Sequence, residues 1–307
     1  MFLSFVAILA MVMLTPGSAS NRKSYPRLAS AGKQDRILIV APHIDDEAIS
    51  AGGYAIDAIA NGAQVYIVFL TAGDCNEFSV RLIHKTLDPT ASNYLSVGQT
   101  RIAEAKEAMK ILGVAPDHFF ILGYPDRGLR TMVDNPEAVV RSRGTRAHEV
   151  PYGDALSPGS QYKIENALND LKQVIALAKP TMVIAPVPFD KHPDHAAAAD
   201  IVDLALEDMQ WKATRLGYLV HSHRIKSLVN SPKRALLPPN KMKAFSWATY
   251  PLSDHVQRMK TSALMTYKSQ RPYLTLLRNA FVRQNELFFV YPTSVADTQP
   301  AQLLLAR

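Results

Sequence analysis

Short apolar runs alternate along the chain with segments whose apolar side chains recur at helical spacing. Residues 36–40 (RILIV) and 65–70 (VYIVFL) are almost continuously apolar, which is typical of strands buried on both faces of a parallel sheet. Residues 99–112 place apolar side chains at the period of a helix, and Gly113 follows as a stop signal. This alternation predicts an α/β fold with a Rossmann-like, open, mostly parallel sheet and helices on both faces.

The same pattern predicts the remaining elements and one domain over residues 35–295, followed by a tail at 296–307. Two segments, 75–97 and 127–160, lack periodicity and are rich in Asp, Asn, Gly, Ser and Pro, as lids or binding loops are. We expect these two loops to decide the substrate. The further predicted strands are 119–122, 182–185 and 216–220, and the further predicted helices are 47–60, 164–178, 196–209, 253–268 and 273–285.

The first twenty residues contain an apolar run at 2–14, followed by Pro16, Gly17 and other small residues. The run is short for a membrane span and suits a secretory signal, so we expect export to the periplasm or cell envelope, with residues 21–34 as a linker. No Lys or Arg precedes the run, whereas Arg22 and Lys23 follow it, which opposes translocation. An uncleaved anchor that associates with the membrane is therefore the alternative.

Composition limits the partners and the metal chemistry. The formal net charge is +7, but the basic residues are scattered and no nucleic-acid-binding signature occurs, so no nucleic-acid partner is expected. Cys75 is the only cysteine, which excludes an intrachain disulfide and a thiolate metal cluster. We interpret Cys75 as a bystander rather than a reactive thiol, because no base neighbours it in sequence. Any metal must use histidine and carboxylate ligands.

Two motifs carry such ligands, and each follows a predicted strand. His43-Ile44-Asp45-Asp46 leaves the first strand, and residues 192–195 (HPDH) follow the strand at 182–185. Loops at the carboxyl ends of parallel strands can converge on one crevice. Adjacent carboxylates repel each other, and a cation relieves that repulsion. The alternative is that the aspartates are helix caps beside surface histidines. The pair of motifs favours a zinc site with an open water position, suited to amide hydrolysis.

The two motifs resemble those of the PIG-L/LmbE-type N-acetylglucosaminyl deacetylases. Further matches lie at residues 70–74 (LTAGD), 101–105 (RIAEA), 122–126 (LGYPD) and 269–270 (SQ), so the resemblance extends over most of the chain after the leader. One departure is Ile44, which stands where proline is usual in the family. This departure bears on the rigidity of the loop rather than on its ligands.

The resemblance implies a role for each residue of the site. It implies zinc on His43, Asp46 and His195, with Asp45 as general base. It also implies His192 as the oxyanion-stabilising or acid group, with its imidazole oriented by Asp194. The implied contacts to sugar hydroxyls are Arg101 and Asp126, for which the alternatives are a surface arginine paired with Glu104 and a turn aspartate. Iron(II) suits the same ligands as zinc.

The predicted activity is therefore removal of the N-acetyl group from an N-acetylated amino sugar in a glycan, glycolipid or glycoside. A zinc amidase that cuts a larger acyl group from an amino-sugar conjugate is one alternative, and a non-catalytic sugar-binding protein is another. His221 and His223, at the end of a predicted strand, are interpreted as packing or solvent-facing groups. The oligomeric state is left open.

Overall fold

The computed structural model describes residues 25–222, 234–270 and 280–292. Within them, the predicted alternation of strands and helices is confirmed. The strands are β1 Arg36–Ala41, β2 Gln64–Thr71, β3 Phe119–Tyr124, β4 Met182–Pro186, β5 Thr214–Tyr218, β6 Trp247–Pro251 and β7 Asn285–Val290. The helices are α1 Asp46–Ala60, α2 Glu77–His84, α3 Ala91–Leu112, α4 Leu129–Asp134, α5 Ile164–Ala178, α6 Pro193–Asp208 and α7 Asp254–Thr266.

The strands form one sheet in the order β3-β2-β1-β4-β5-β7-β6. Strands β1 to β5 are parallel, while β7 is antiparallel to both β5 and β6, so the prediction of a mostly parallel sheet is confirmed. Strand order reverses between β1 and β4, which pair directly, with Ile37 opposite Met182. Ligands of open α/β sheets bind beyond the carboxyl ends of the strands at such a reversal. The two predicted motifs follow these two neighbouring strands.

The predicted loop at 75–97 is wrong in part, because it contains α2 and the first turns of α3. The side chain of Asn76 accepts a hydrogen bond from the N–H of Ser79 and caps α2. Thr90 and Asn93 form a capping box at the start of α3, eight residues before the predicted start of that helix. The segment 127–160 likewise contains the short helix α4. Polar caps and, in α3, weak periodicity conceal these helices, which pack on the rest of the fold.

The carboxyl-terminal part differs from its prediction. Strands β6 and β7 are missing from the sequence-based assignment, and Asn285, the last residue of the predicted helix 273–285, is the first residue of β7. Most of that predicted helix lies outside the described residues. The predicted helix at 253–268 corresponds to α7. Strand β7 begins with the polar pair Asn285-Glu286, so its sequence lacks the pattern of apolar positions that predicts a strand. The strand is recognised only in the structure, where β5 and β6 lie on either side of it.

The predicted signal or anchor at 1–20 and the tail at 296–307 lie outside the described residues, so export and anchoring stay predictions. Within the predicted linker, the N–H of Leu28 donates to the carbonyl of Thr249 and the N–H of Thr249 donates to Pro26, which tethers this segment to β6. No helix in the described ranges is long and apolar enough to cross a membrane.

Candidate metal centre and active site

The first motif lies in the turn between β1 and α1. Asp46 begins the helix, and its Oδ2 lies 3.1 Å from His43 Nδ1. Asp45 precedes the helix in a left-handed conformation (φ 119°), which is costly for a residue with a Cβ. The carboxylate of Glu47 accepts a hydrogen bond from the N–H of Asp45 at 3.1 Å and helps to hold this backbone conformation. The turn therefore presents an imidazole and two consecutive carboxylates at the edge of the sheet.

The second motif lies at the start of α6, beside the first. His192 is the N-cap and Pro193 the first helical residue, a position that proline favours because it needs no intrahelical N–H bond there. His195 is fully buried, and its Nε2 lies 3.1 Å from Asp46 Oδ2. The same oxygen of Asp46 thus lies 3.1 Å from one nitrogen of His43 and of His195. The structure brings the three predicted metal ligands together.

Asp194 contacts His43 rather than orienting the ring of His192 with its carboxylate. Its Oδ2 lies 3.2 Å from His43 Nε2 and accepts from the N–H of Arg127 at 2.6 Å, while Oδ1 accepts from the N–H of Leu129. The contact to His192 runs from the N–H of Asp194 to Nδ1 at 3.2 Å. Asp194 therefore contacts the His192 ring through its backbone N–H, and its carboxylate contacts His43 instead. The cause is the helix start, which turns the side chain of Asp194 toward the β3–α4 loop.

Asp126 and Arg101 both reach the site. Asp126 Oδ1 lies 3.3 Å from His43 Nε2, and Oδ2 accepts from the N–H of Cys75 at 2.7 Å. The side chain of Arg101 is buried, and its Nη2 lies 3.3 Å from Asp45 Oδ2. The interpretation of Arg101 as a surface arginine paired with Glu104 is wrong, because Glu104 instead accepts hydrogen bonds from Ser269.

The guanidinium of Arg101 also explains how the first turn is fixed without a proline at position 44. It donates to the carbonyl oxygens of Gly73 and Ile44. Gly73 has φ +63°, and a Cβ there would collide with the guanidinium. Ile44 is fully buried, so the turn is held by packing and by these hydrogen bonds.

Two further residues belong to the site and were not assigned to it from sequence. Asp190 lies 3.3 Å from His195 Nδ1 and accepts hydrogen bonds from the N–H groups of His192, Val220 and His221. A carboxylate on the second nitrogen of a metal-binding imidazole is a common orienting partner. Asp190 follows β4 in sequence, so the argument that selected Asp45 and Asp46 also applies to it.

His221 is the second residue that the sequence interpretation missed. Its ring centroid lies 4.7 Å from that of His195 and 5.1 Å from that of His192, so the interpretation of His221 as a packing or solvent-facing group is wrong. His223 lies outside the described residues. The position of His221 at the carboxyl end of β5, beside β4, was the signal that could have identified it.

The residues present fit a metal ion. In the described part of the chain, three overlapping groups of possible ligand atoms lie within 4.8 Å of one another. They are His43, His192 and His195; Asp46, His195 and His221; and His43, Asp126 and Asp194. The predicted triad is divided between the first two groups. Both ring nitrogens of His195 are buried without a hydrogen bond of good geometry. An ion at Nε2, which lies beside Asp46, would satisfy one of them, and Asp190 lies beside the other.

Comparison with known proteins places this constellation in a family. A family model described as GlcNAc-PI de-N-acetylase (PIG-L) matches residues 38–206, more than half of the chain and a range that contains both motifs. The chain belongs to the PIG-L family. The resemblance inferred from the motifs is thereby confirmed.

Relatives of this PIG-L-family chain are named as deacetylases. A 1D-myo-inositol 2-acetamido-2-deoxy-alpha-D-glucopyranoside deacetylase of Kribbella flavida is 32% identical over 176 residues, which are 55% of this chain and 53% of the relative. The same enzyme of Corynebacterium glutamicum is 31% identical over 173 residues, 55% of this chain and 52% of the relative. The chain therefore spans about half the length of these curated relatives.

Solved structures agree on the fold. The N,N'-diacetylchitobiose deacetylase of Pyrococcus horikoshii has a TM-score of 0.55 and 20% sequence identity, with 89% of this chain and 90% of that chain covered. At that identity the likeness shows the fold alone. The confirmed fold class is a mostly parallel sheet of the PIG-L/LmbE type.

Electrostatics in this PIG-L-family site favour a cation. Burial lowers the pKa of His43, but hydrogen bonds with Asp126, Asp194 and Asp46 outweigh burial, and the pKa is well above its usual value. Burial likewise opposes the charged form of His195, yet Asp46 and Asp190 raise its pKa to about 9. A field of carboxylates that stabilises two imidazolium groups also stabilises a divalent ion.

Burial shifts the pKa values of the groups beside the predicted ligands toward the uncharged form. Burial raises the pKa of Asp45 to about 7, against the nearby charge of Arg101. Burial, together with the charges of His43 and His195, lowers the pKa of His192 to about 4, so this imidazole is neutral at pH 7. Because Nδ1 of His192 accepts a hydrogen bond, the neutral ring carries its proton on Nε2.

Cys75 does not provide a reactive thiolate. Burial, with Asp126 and Asp74 nearby, raises the pKa of its thiol to about 12. The thiol is therefore protonated at neutral pH, and thiolate is the reactive form. This result agrees with the interpretation of Cys75 as a bystander.

Proposed function

We propose that this protein is a metal-dependent hydrolase that removes the N-acetyl group from an N-acetylglucosamine-type sugar. The observation that carries the proposal is the position of Asp46 Oδ2, which lies 3.1 Å from a nitrogen of each of His43 and His195, with Asp45 adjacent. Membership of the PIG-L family and the names of the relatives, which are deacetylases of 2-acetamido sugars, support it.

Zinc is the proposed ion, held by His43, Asp46 and His195. A neutral imidazole pair with one carboxylate is a common set of protein ligands for catalytic zinc. When bound, the ion supplies Lewis acidity, which polarises the acetyl carbonyl and makes water more acidic. Asp190 would keep the His195 ring in place, and Asp194 would do so for His43. Iron(II) is the alternative for the same ligands.

Asp45 is the proposed general base. Its carboxylate adjoins the proposed metal ligands and is buried, which makes it a better proton acceptor than an exposed aspartate. Arg101 and the turn backbone hold it in place, because Nη2 of Arg101 lies 3.3 Å from Asp45 Oδ2. The guanidinium also donates to the carbonyl oxygens of Gly73 and Ile44, so we propose that Arg101 positions Asp45 instead of binding the sugar hydroxyls.

His192 is the proposed group for the acetyl oxygen. Its neutral ring carries a proton on Nε2, so it can donate a hydrogen bond to an oxygen that becomes negative during attack on the amide. Asp126 is the proposed contact to a sugar hydroxyl, because it lines an open pocket beside His43.

Export to the periplasm or cell envelope remains our proposal for the location, with an uncleaved membrane anchor as the alternative. It rests on the sequence of residues 1–20 alone. Amino-terminal sequencing of the protein recovered from fractionated cells tests it, since a start near residue 20 in a soluble envelope fraction supports export and an intact leader in the membrane fraction supports the anchor.

The decisive experiment measures acetate release from a panel of N-acetylglucosaminides by zinc-loaded protein, with bound metal quantified. Asp45→Asn should lower kcat by about 10³-fold while zinc content is retained, because a general base supplies roughly 10²- to 10⁴-fold. Asp117→Asn is the matched control, since Asp117 is an exposed aspartate outside the site. It should have wild-type activity.

Two results would contradict the proposal. A wild-type protein that binds no divalent metal would remove the proposed chemistry. A protein that binds metal but releases no acetate would contradict the proposed deacetylation. Release of a longer acyl group from amino-sugar conjugates would then identify an amidase.

A further inference from the structure

A pocket of about 400 Å³ opens beside the candidate active site, on the side of Asp126. Asp126 connects the two, because its Oδ1 lies 3.3 Å from His43 Nε2 and the residue also lines the pocket. The other lining residues come from the β3–α4 loop, from α4 and from the segment that follows α4. Those with charged side chains are Arg127, Arg141 and Arg143.

Arg141 and Arg143 are held on the pocket side by the residues between and around them. Val140, Ser142 and Gly144 are buried, whereas Arg141 and Arg143 are exposed, so buried and exposed positions alternate. The N–H of Val140 donates to the carbonyl of Tyr162, and the N–H of Ser142 donates to that of Ala147, both at 2.9 Å.

Further contacts fix the turn that follows Arg143. Ser142 Oγ accepts a hydrogen bond from the N–H of Thr145 at 3.1 Å. A Cβ at Gly144 would lie 2.7 Å from the ring of Tyr94, so this backbone packs directly on α3. The two arginines therefore project from an anchored segment.

Arg127 joins the pocket to the candidate metal centre. Its N–H donates to Asp194 Oδ2 at 2.6 Å, and Asp194 contacts His43. The backbone of Arg127 is in the left-handed region (φ 60°), where a residue with a long side chain is uncommon. Such strain persists where the surroundings enforce it, and functional sites are a frequent location. Here Arg127 is exposed and lines the same pocket as Asp126.

The three guanidinium groups lie in the pocket lining without a carboxylate partner from residues 25–222, 234–270 and 280–292. Among the residues that the structure describes, no carboxylate forms an ion pair with Arg127, Arg141 or Arg143, while neighbouring Arg130 pairs with both Asp134 and Asp200. Arg141 Nε donates instead to the carbonyl of Arg146, at 3.3 Å. The pocket lining thus has three positive charges and one negative charge, and Asp126 already contacts His43 and the N–H of Cys75.

We propose that this pocket is a subsite for an anionic group, a phosphate or a carboxylate, carried by the N-acetylated sugar on which the candidate active site acts. The inference rests on the proposed deacetylase function and adds the charge of the substrate to it. A guanidinium presents paired donors that match the oxygens of carboxylate and phosphate. Because the arginines lie beyond Asp126, the anion is expected on a part of the substrate away from the acetyl group.

The test compares neutral and anionic substrates with the wild type and with Arg141→Gln/Arg143→Gln. The substrates are a neutral N-acetylglucosaminide, N-acetylglucosamine 1-phosphate, N-acetylglucosamine 6-phosphate and N-acetylmuramic acid, which separate phosphate from carboxylate and one attachment point from another. For the preferred anionic sugar, the ratio of its kcat/KM to that of the neutral sugar should fall by about 10- to 100-fold in the double variant, as expected for the loss of two charge-assisted hydrogen bonds.

The matched control removes two positive charges elsewhere on the surface. Lys212→Gln/Arg258→Gln is suitable, because both side chains are exposed and neither lines the pocket. This control should retain the wild-type ratio. An equal fall in the control would assign the effect to overall charge, and a wild type with no preference for any anionic sugar would overturn the inference while the deacetylase function stands.

A binding measurement separates failure of the inference from failure of the proposed function. Calorimetric titration of metal-free protein with N-acetylglucosamine 6-phosphate, N-acetylglucosamine 1-phosphate and N-acetylmuramic acid needs no turnover. Saturable binding of any of the three sugars that is weakened at least about 10-fold in Arg141→Gln/Arg143→Gln supports the subsite even when no acetate is released. Binding that is equal in the wild type and the double variant overturns the subsite regardless of activity.

Discussion

Two buried clusters of charged side chains in the described part of the chain, one at the start of α1 and one against its middle, differ in how the charges are satisfied. In the first, Lys260 Nζ lies 2.6 Å from Glu286 Oε1, and both side chains are almost completely buried. The carboxylate of Glu286 also accepts hydrogen bonds from the N–H groups of Gly53 and Tyr54 at 2.7 and 2.8 Å. This cluster contains its own counter-charge and its own donors.

The second cluster, at the candidate metal centre, has an excess of carboxylates. Arg101 is the one permanently charged cation among its buried side chains, and both nitrogens of His195 lack a hydrogen bond of good geometry. The carboxylates of this cluster are Asp45, Asp46, Asp126, Asp190 and Asp194.

The contrast teaches how a structural charge cluster differs from a functional one. Buried charges that are paired and hydrogen-bonded need nothing further, whereas buried carboxylates without sufficient counter-charge favour a cation. The Lys260–Glu286 pair is therefore expected to govern the stability of the apoprotein. The metal centre is expected to contribute to stability only when metal is bound.

The largest effect is expected from breaking the satisfied pair. Lys260→Met leaves Glu286 buried without its cation and should lower the free energy of unfolding by about 3–5 kcal/mol. Urea denaturation of the metal-free wild type and variant measures the difference. A loss below about 1 kcal/mol, the size expected of an exposed pair, would contradict the assignment of this pair as a structural element.

Metal removal is the next largest effect. When free metal is at 100 times its dissociation constant, chelation should lower the free energy of unfolding by about 2.7 kcal/mol. Because the clusters are separate, the same loss is expected in the Lys260→Met background. Denaturation with and without chelator in both proteins checks this; a chelator effect that disappears in the variant would show that the two clusters are coupled.

A smaller effect is expected from Asp190→Asn, which removes the carboxylate beside His195 Nδ1. Metal affinity should fall by about 10- to 100-fold, the usual consequence of losing an orienting partner of a ligand. Competition with a metal-binding dye measures it. Asp170→Asn is the control, because Asp170 is also buried but accepts from Tyr124 and Ser157, so its substitution should affect stability and leave metal affinity unchanged.

The smallest effect sets the baseline for the comparison. Lys172 Nζ lies 3.2 Å from Asp208 Oδ2 on the surface, where water screens the pair. Asp208→Asn should change the free energy of unfolding by less than about 1 kcal/mol in the same denaturation assay. A loss as large as that of Lys260→Met would show that burial is not what distinguishes the two ion pairs.

The secondary structure of the parallel half could be predicted from sequence, whereas the antiparallel edge could not. Strands β1, β2 and β4 are short apolar runs, and α5 was predicted at residues 164–178 with the bounds that the structure shows. Strand β7 starts with the polar residues Asn285 and Glu286, whose burial depends on the cluster with Lys260 and on the neighbouring strand β6. Periodicity within one segment carries no information about such partners.

The candidate site shows the same division. The strand-end positions of the two motifs predicted a metal site of histidines and carboxylates, and the family resemblance implied His43, Asp46 and His195 as its ligands. The sequence did not identify Asp190 or His221 as site residues, because the place of each in the site depends on its contact with His195. These five residues lie in separate segments of the sequence, and only the folded chain brings them together.

The sequence by itself determined the α/β grammar, the absence of thiolate ligands and the histidine and aspartate donors at two strand ends, because these follow from local side-chain chemistry. Only the tertiary structure decided which carboxylate faces which imidazole. The Asp194 carboxylate contacts His43, which is 151 positions away in sequence, while the backbone N–H of Asp194 donates to His192. It also decided that Arg127, Arg141 and Arg143 share one pocket. Electrostatic interactions depend on distance in space, and a linear sequence does not specify that distance.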